Sequence, residues 1–94
     1  MAGMKEYPTR CGTRFPPGAT ATEEGVNFSV FSKSARHVEL LLYEAADSAE
    51  PLQVVNLDPK TNRTYFSWHV FVERLPAGTH YTWRVDGGAE LVDP

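Results

Sequence analysis

Three histidines, one cysteine and twelve carboxylates are the groups in this 94-residue chain that could ligate a metal, attack an electrophile or move a proton. Their spacing favours none of these chemistries. His37, His69 and His80 lie far apart, and no cysteine or carboxylate pair joins them at the spacing of a metal site, so no metal and no cofactor is expected. Cys11 has no nearby histidine in sequence and no strained elbow around it, and it reads as an incidental thiol. Hydrolysis of a glycosidic bond needs two carboxyl groups held about 5–9.5 Å apart across a cleft. Asp47 with Glu50, and Glu23 with Glu24, read more simply as solvated loop charges. There is no phosphate-cradling loop, nucleophile elbow or Gly-rich fingerprint, so no catalytic residue is expected.

Aromatic side chains are the remaining chemistry: five Phe, four Tyr and two Trp. A flat ring can cover the C–H face of a pyranose while polar neighbours bond its hydroxyls, or it can anchor a docked protein surface. Alternation decides which rings are available. Trp68 and Trp83 fall in the apolar rows of their segments and are expected to fill the core. Phe31, Leu41, Tyr43 and Phe71 fall on the opposite, nominally outward rows. If they are neighbours, they make a patch larger than a small monomer exposes, hence a docking interface or a ligand platform. Tyr43, Tyr65 and Phe71 are the candidates for a carbohydrate platform.

The elements that must carry these rings are short, β-branched, aromatic and punctuated by turn residues. Residues 1–24 are rich in Pro, Gly, Thr and Arg and read as an extended N-terminal segment with a possible edge strand at Ala19–Thr22. From Gly25, Val26, Phe28 and Val30 alternate with Asn27, Ser29 and Phe31; in the next strand Val38, Leu40 and Leu42 alternate with Glu39, Leu41 and Tyr43. Glu44 to Pro51 reads as a loop, and Leu52 to Leu57 as a short strand. The run Lys60 to Thr64 reads as a turn. A strand over Tyr65–Val72 would place Phe66, Trp68, Val70 and Val72 in one apolar row. Tyr81, Trp83 and Val85 form the last row, and Asp86-Gly87 is a hairpin signal that requires a further strand. No segment shows a helical period. The expected fold is all-β, an immunoglobulin-like antiparallel β-sandwich of about seven short strands over residues 25–94.

Composition narrows the class. A formal charge of −3 without a Lys/Arg cluster lacks the electrostatic footprint of nucleic-acid or membrane-surface binding. The longest apolar run, Val38 to Tyr43, is broken by Glu39 and is far short of the about 20 residues of a membrane span. With one cysteine and no apolar segment near the N-terminus, a cytoplasmic location is expected, and the two Asn-x-Ser/Thr sequons at Asn27 and Asn62 read as coincidence. The abrupt end at Asp93-Pro94 reads as the edge of a domain cut from a longer polypeptide.

Several phrases are more specific than their pattern. Pro17-Gly-Ala-Thr20, Gly25-Val-Asn-Phe-Ser-Val-Phe-Ser32, Ala35-Arg-His-Val-Glu-Leu-Leu-Leu-Tyr43, Trp68-His-Val70 and Pro76-Ala-Gly-Thr-His-Tyr-Thr-Trp-Arg-Val-Asp-Gly87, in this order and spacing, resemble the N-terminal domain of bacterial glycogen debranching enzymes and isoamylases. The resemblance implies a sandwich of carbohydrate-binding module family 48 ahead of a glycoside hydrolase family 13 barrel that cleaves α-1,6 linkages. It makes that barrel the expected partner and α-glucan a possible second one. A (β/α)₈ barrel needs about 250 residues, so the chain alone is expected to be inert. In glucan-holding members, the family uses one tryptophan after an early strand, another just after the Asp-Gly turn, and a lysine. The matching positions here, Glu44–Asp47, Gly88–Glu90 and Thr82, supply neither an aromatic ring nor an ammonium. Two readings follow. One is an accessory domain packed on the barrel through the outward apolar set; the other is an autonomous α-glucan-binding module.

Overall fold

Alternating runs that are apolar on one side can bury that side only against another sheet, and the chain does this twice. The computed structural model describes residues 7–33, 35–45 and 47–86, and the backbone of 90–91. Nine β segments follow in order: β1 (Thr9–Arg10), β2 (Gly18–Thr22), β3 (Gly25–Phe31), β4 (Val38–Tyr43), β5 (Gln53–Leu57), β6 (Arg63–Thr64), β7 (Ser67–Glu73), β8 (His80–Val85) and β9 (Glu90–Leu91). There is no helix among the described residues. In the first sheet β7, β3 and β2 are successive neighbours, and β1 and β6 share the free edge of β7. The second sheet runs β5-β4-β8-β9, and every pairing in both sheets is antiparallel.

This is the all-β sandwich expected, with the two-residue segments β1 and β6 added. Between the sheets lie Val26 and Phe28 of β3, Trp68, Val70 and Val72 of β7, Leu40 and Leu42 of β4, and Trp83 of β8, all at or below 4% exposure. The Phe28 ring meets Tyr81 edge-on at 4.7 Å and Trp83 at 6.5 Å, a geometry that aligns ring edge with ring face. Each of these large side chains contributes about 1.5–3 kcal/mol by leaving water. The core row of β7 begins two residues later than alternation suggested, at Trp68 instead of Phe66. Tyr65 and Phe66 occupy the two-residue turn that joins β6 to β7, with Thr64 opposite Ser67, so Phe66 is 42% exposed rather than in the core. The turn contains no Gly, Asn or Asp, and the sequence therefore gave no sign of it.

The segment preceding β2 is also structural. Tyr7 exchanges two hydrogen bonds with the Gln53 amide of β5, at 2.8 and 3.1 Å. The chain then pairs as β1 with β7 and crosses the outer face of the first sheet through residues 11–14. There Asn27 bonds both the N–H and the C=O of Thr13, Ser29 Oγ donates to the Arg14 carbonyl, and His69 Nδ1 lies 2.6 Å from the Cys11 carbonyl. Asn27, Ser29 and His69 are buried polar groups, and this crossing segment satisfies them.

Candidate functional site

One end of the first sheet gathers exposed aromatic rings. Phe31 closes β3 opposite Ser67, and the Ser32 N–H donates to the Phe66 carbonyl at 2.9 Å, so the end of β3 and the β6–β7 turn are tied together. The Phe31 and Phe66 rings meet edge-on at 6.1 Å. Tyr65, at the turn's tip, has φ 57°, a left-handed conformation that a bulky residue rarely adopts. Its side chain is 76% exposed and contributes nothing to the core. The crossing segment then delivers Arg14 and Phe15. The Arg14 guanidinium lies 4.9 Å from the Phe15 ring centre and 5.4 Å from that of Tyr65, a cation held between two π faces. Arg63 Nε donates to the Tyr65 carbonyl at 2.7 Å. Phe15, Phe31, Tyr65 and Phe66 are four of the five exposed large hydrophobic residues among those described, and Val54 is the fifth.

The expected site residues do not stay together. Phe31 and Tyr65 share this end. Phe71 lies on the same face four residues along the strand pairing, beneath the Arg10 guanidinium at 4.9 Å. Leu41 and Tyr43 belong to the outer face of the other sheet, so Phe31, Leu41, Tyr43 and Phe71 form no single patch. Leu41 is only 1% exposed although it points away from the core, because β4 is a central strand and sets it between Val54 and Thr82. Tyr43 is half-buried at the opposite end, beside Leu52 and the 75–79 loop. Phe15, Phe66 and Arg14 were missed. A ring before Pro-Pro and an alternation that runs through a turn gave no signal for them. Of the family's sugar positions, Ala46, Gly88 and Ala89 lie outside the described residues, as does the side chain of Glu90, and Thr82 is half-buried beside Leu41. Trp68 and Trp83 are fully buried and offer no ring face to a ligand.

The same end is fixed electrostatically. Asp86, at φ 53°, donates its N–H to the His37 carbonyl, while its Oδ1 accepts from the backbone N–H groups of Arg36 and His37, each at 2.8 Å. These two backbone donors hold its carboxyl below the ordinary aspartate range. On the outer face of the second sheet, Arg84 Nε donates to Glu39 at 2.6 Å and His37 lies 3.8 Å from the other oxygen. The Arg84 hydrogen bond lowers the Glu39 carboxyl despite partial desolvation. Among the described residues no group of three or more His, Cys, Asp or Glu could hold a metal, and no helix is long and apolar enough to cross a membrane.

The described residues thus form an antiparallel sandwich whose accessible side chains at this end include aromatic rings and a guanidinium. Residues 16–94 match the family model described as Carbohydrate-binding module 48 (Isoamylase N-terminal domain), and the chain belongs to that family. It is 42% identical over 78 residues to Isoamylase 1, chloroplastic, of Oryza sativa subsp. japonica, an alignment covering 81% of this chain and 10% of that protein. It is 33% identical over 87 residues to the glycogen debranching enzyme of Pectobacterium carotovorum subsp. carotovorum, covering 93% of this chain and 12% of that one. A mutant pullulanase from Paenibacillus barengoltzii, solved with maltotriose, superposes with TM-score 0.72 at 26% identity, over 84% of this chain and 12% of that one. The chain thus spans about a tenth of the length of the relatives it matches.

Proposed function

We propose that this chain is the non-catalytic accessory domain of a glycogen debranching enzyme. In this reading the enzyme hydrolyses α-1,6 linkages, and the domain packs on its catalytic barrel through the Arg14, Phe15, Phe31, Tyr65 and Phe66 end. The observation that carries it is the concentration of exposed rings at one end of a domain whose relatives are about ten times longer. Tyr, Phe and Arg at a desolvated centre are the composition of an interface hot spot. A cytoplasmic location follows the bacterial relatives, whereas the plant isoamylases are chloroplastic. The isolated chain is expected to retain glycogen weakly, since neither tryptophan can stack on sugar.

The test places Phe31→Ser and Tyr65→Asn in the 94-residue chain and in the longer polypeptide. Asparagine tolerates the left-handed backbone at the turn tip. In the short chain each exposed substitution shifts unfolding free energy by no more than about 0.5 kcal/mol. In the longer enzyme the pair costs about 2–4 kcal/mol, read as earlier inactivation, because the rings are then buried hot-spot anchors. Equal effects in the two contexts would overturn the docking surface.

A further inference from the structure

Charge is distributed unevenly between the two ends of the sandwich, and the aromatic end holds the positive share. Lys33 follows Ser32, whose N–H is bonded to the Phe66 carbonyl, and the backbone N–H of Arg36 is held by Asp86, so the β3–β4 loop brings both cations to this end. Arg63 in β6 places its guanidinium 5.5 Å from the Trp68 ring centre and gives its Nε hydrogen to Tyr65. With Arg14, these are four cations that are separated in sequence and gathered by the fold. Lys33, Arg36 and Arg63 are exposed, and none of the four forms an ion pair among the described residues. The described carboxylates nearby are occupied or balanced. Asp86 accepts from two backbone N–H groups, Glu39 bonds Arg84 with His37 beside it, and Asp58 shares the β5–β6 loop with Lys60.

The opposite end has the reverse sign. The β2–β3 turn carries Glu23 and Glu24, and the β4–β5 loop carries Glu44, Asp47 and Glu50, all exposed, against Arg74 after β7. A formal charge of −3 therefore conceals a domain that is basic at one end and acidic at the other. Such an asymmetry orients a protein as it approaches a charged surface.

The arrangement of the basic end selects among anionic partners. Exposed rings with cations around them have the layout of a protein interface, an apolar centre inside a polar rim. The Arg14 guanidinium is covered by two rings and the Arg63 Nε is spent, which leaves Lys33 and Arg36 as the open cations. Two cations release too few counterions to hold a phosphate polymer at physiological salt. A second copy of the chain is a poor match as well, because its acidic end carries none of the exposed rings.

We propose that the aromatic end docks on an acidic protein surface, an apolar patch rimmed by carboxylates, and that its cations orient the domain onto that surface. The identity of the partner, the barrel of the same enzyme, rests on the docking reading; the charge asymmetry does not. Rim charges of this kind set orientation and salt dependence more than they set affinity.

The experiment combines Lys33→Glu with Arg36→Gln, two exposed loop positions whose side chains make no hydrogen bond among the described residues. In the longer enzyme at about 0.01 M salt, where charges act over about 30 Å, the pair is expected to shorten the half-life of thermal inactivation by about threefold to tenfold. At about 1 M salt, where the range is about 3 Å, the difference shrinks below about twofold. In the 94-residue chain the pair leaves the urea midpoint close to that of the parent. Lys33→Glu alone gives the same pattern at smaller size, and Arg74→Glu, an equal change of charge at the acidic end, gives no salt-dependent loss specific to the enzyme. A loss that persists at high salt, a loss equal in the short chain, or the same salt-dependent loss from Arg74→Glu overturns the acidic partner. So does saturable binding of a short single-stranded RNA, or low-salt self-association of the 94-residue chain, that the pair abolishes. The ring substitutions Phe31→Ser and Tyr65→Asn keep their effect at high salt, so a silent charge pair beside ring variants that still cost the enzyme refutes the acidic surface and leaves docking intact.

Discussion

A single carboxylate can hold the connection between two sheets. Asp86 accepts two backbone N–H groups from the segment leading into β4 and donates its own N–H back to His37. Its folded-state pKa is depressed, so its contribution is fully present above the ordinary aspartate value, about 4, and is lost as pH falls through the lower folded value. Asp86→Ala is therefore expected to destabilise at neutral pH, with the gap to the parent narrowing below about pH 4 as the parent loses its own contribution. Asp86→Asn keeps one acceptor and tolerates the positive φ, and its cost should be smaller than that of Ala. Urea titrations at neutral and acidic pH measure both, and a gap that widens in acid contradicts the assignment. The Asp-Gly pair was visible in the sequence as a turn. The clasp onto Arg36 was not, because its partners are backbone groups 49 and 50 residues away.

Among the elements, alternation was legible wherever a strand faces the core, and it failed where a chain segment covers the outer side. Val26, Phe28, Trp68, Val70 and Trp83 took the faces that their period assigned. Asn27, Ser29 and His69 read as solvent-facing residues yet are buried, since the crossing segment lies over them, and a period of two says nothing about what lies on the far side of a sheet. Gly12 marks where that segment touches β7. With φ 70° and no room for a Cβ, Gly12→Ala should cost about 2–5 kcal/mol, the backbone penalty of about 1–2 and the crowding of about 1–3 together. Gly78 provides the contrast: its φ is 84°, but a Cβ there meets nothing within 4 Å, so Gly78→Ala should cost only the backbone penalty of about 1–2 kcal/mol. Chemical denaturation of the two variants separates crowding from conformation. Equal losses would mean that the crossing segment packs less closely on Asn27 than a 2.6 Å approach requires.

For the whole molecule, the question is where the domain begins. A chain starting at residue 25 keeps β3 to β9, the strands whose pattern first defined the sandwich. It loses β2, which pairs with β3 over five register positions, and β1, which pairs with β7. It also loses the Tyr7–Gln53 bonds that bring the N-terminal segment to the second sheet and the bonds that satisfy Asn27, Ser29 and His69. Each lost hydrogen bond removes about 1 kcal/mol. A domain of this size holds only about 5–15 kcal/mol in total. β3 would become an exposed edge whose unpaired N–H and C=O groups invite association. The truncated chain is expected to lose its cooperative thermal transition, or to melt tens of degrees lower, and to self-associate at concentrations where the full chain stays monomeric. Thermal melts followed by circular dichroism, with light scattering alongside, test this. A monomeric chain 25–94 melting within a few degrees of the parent would show that the N-terminal segment decorates the sandwich instead of completing it.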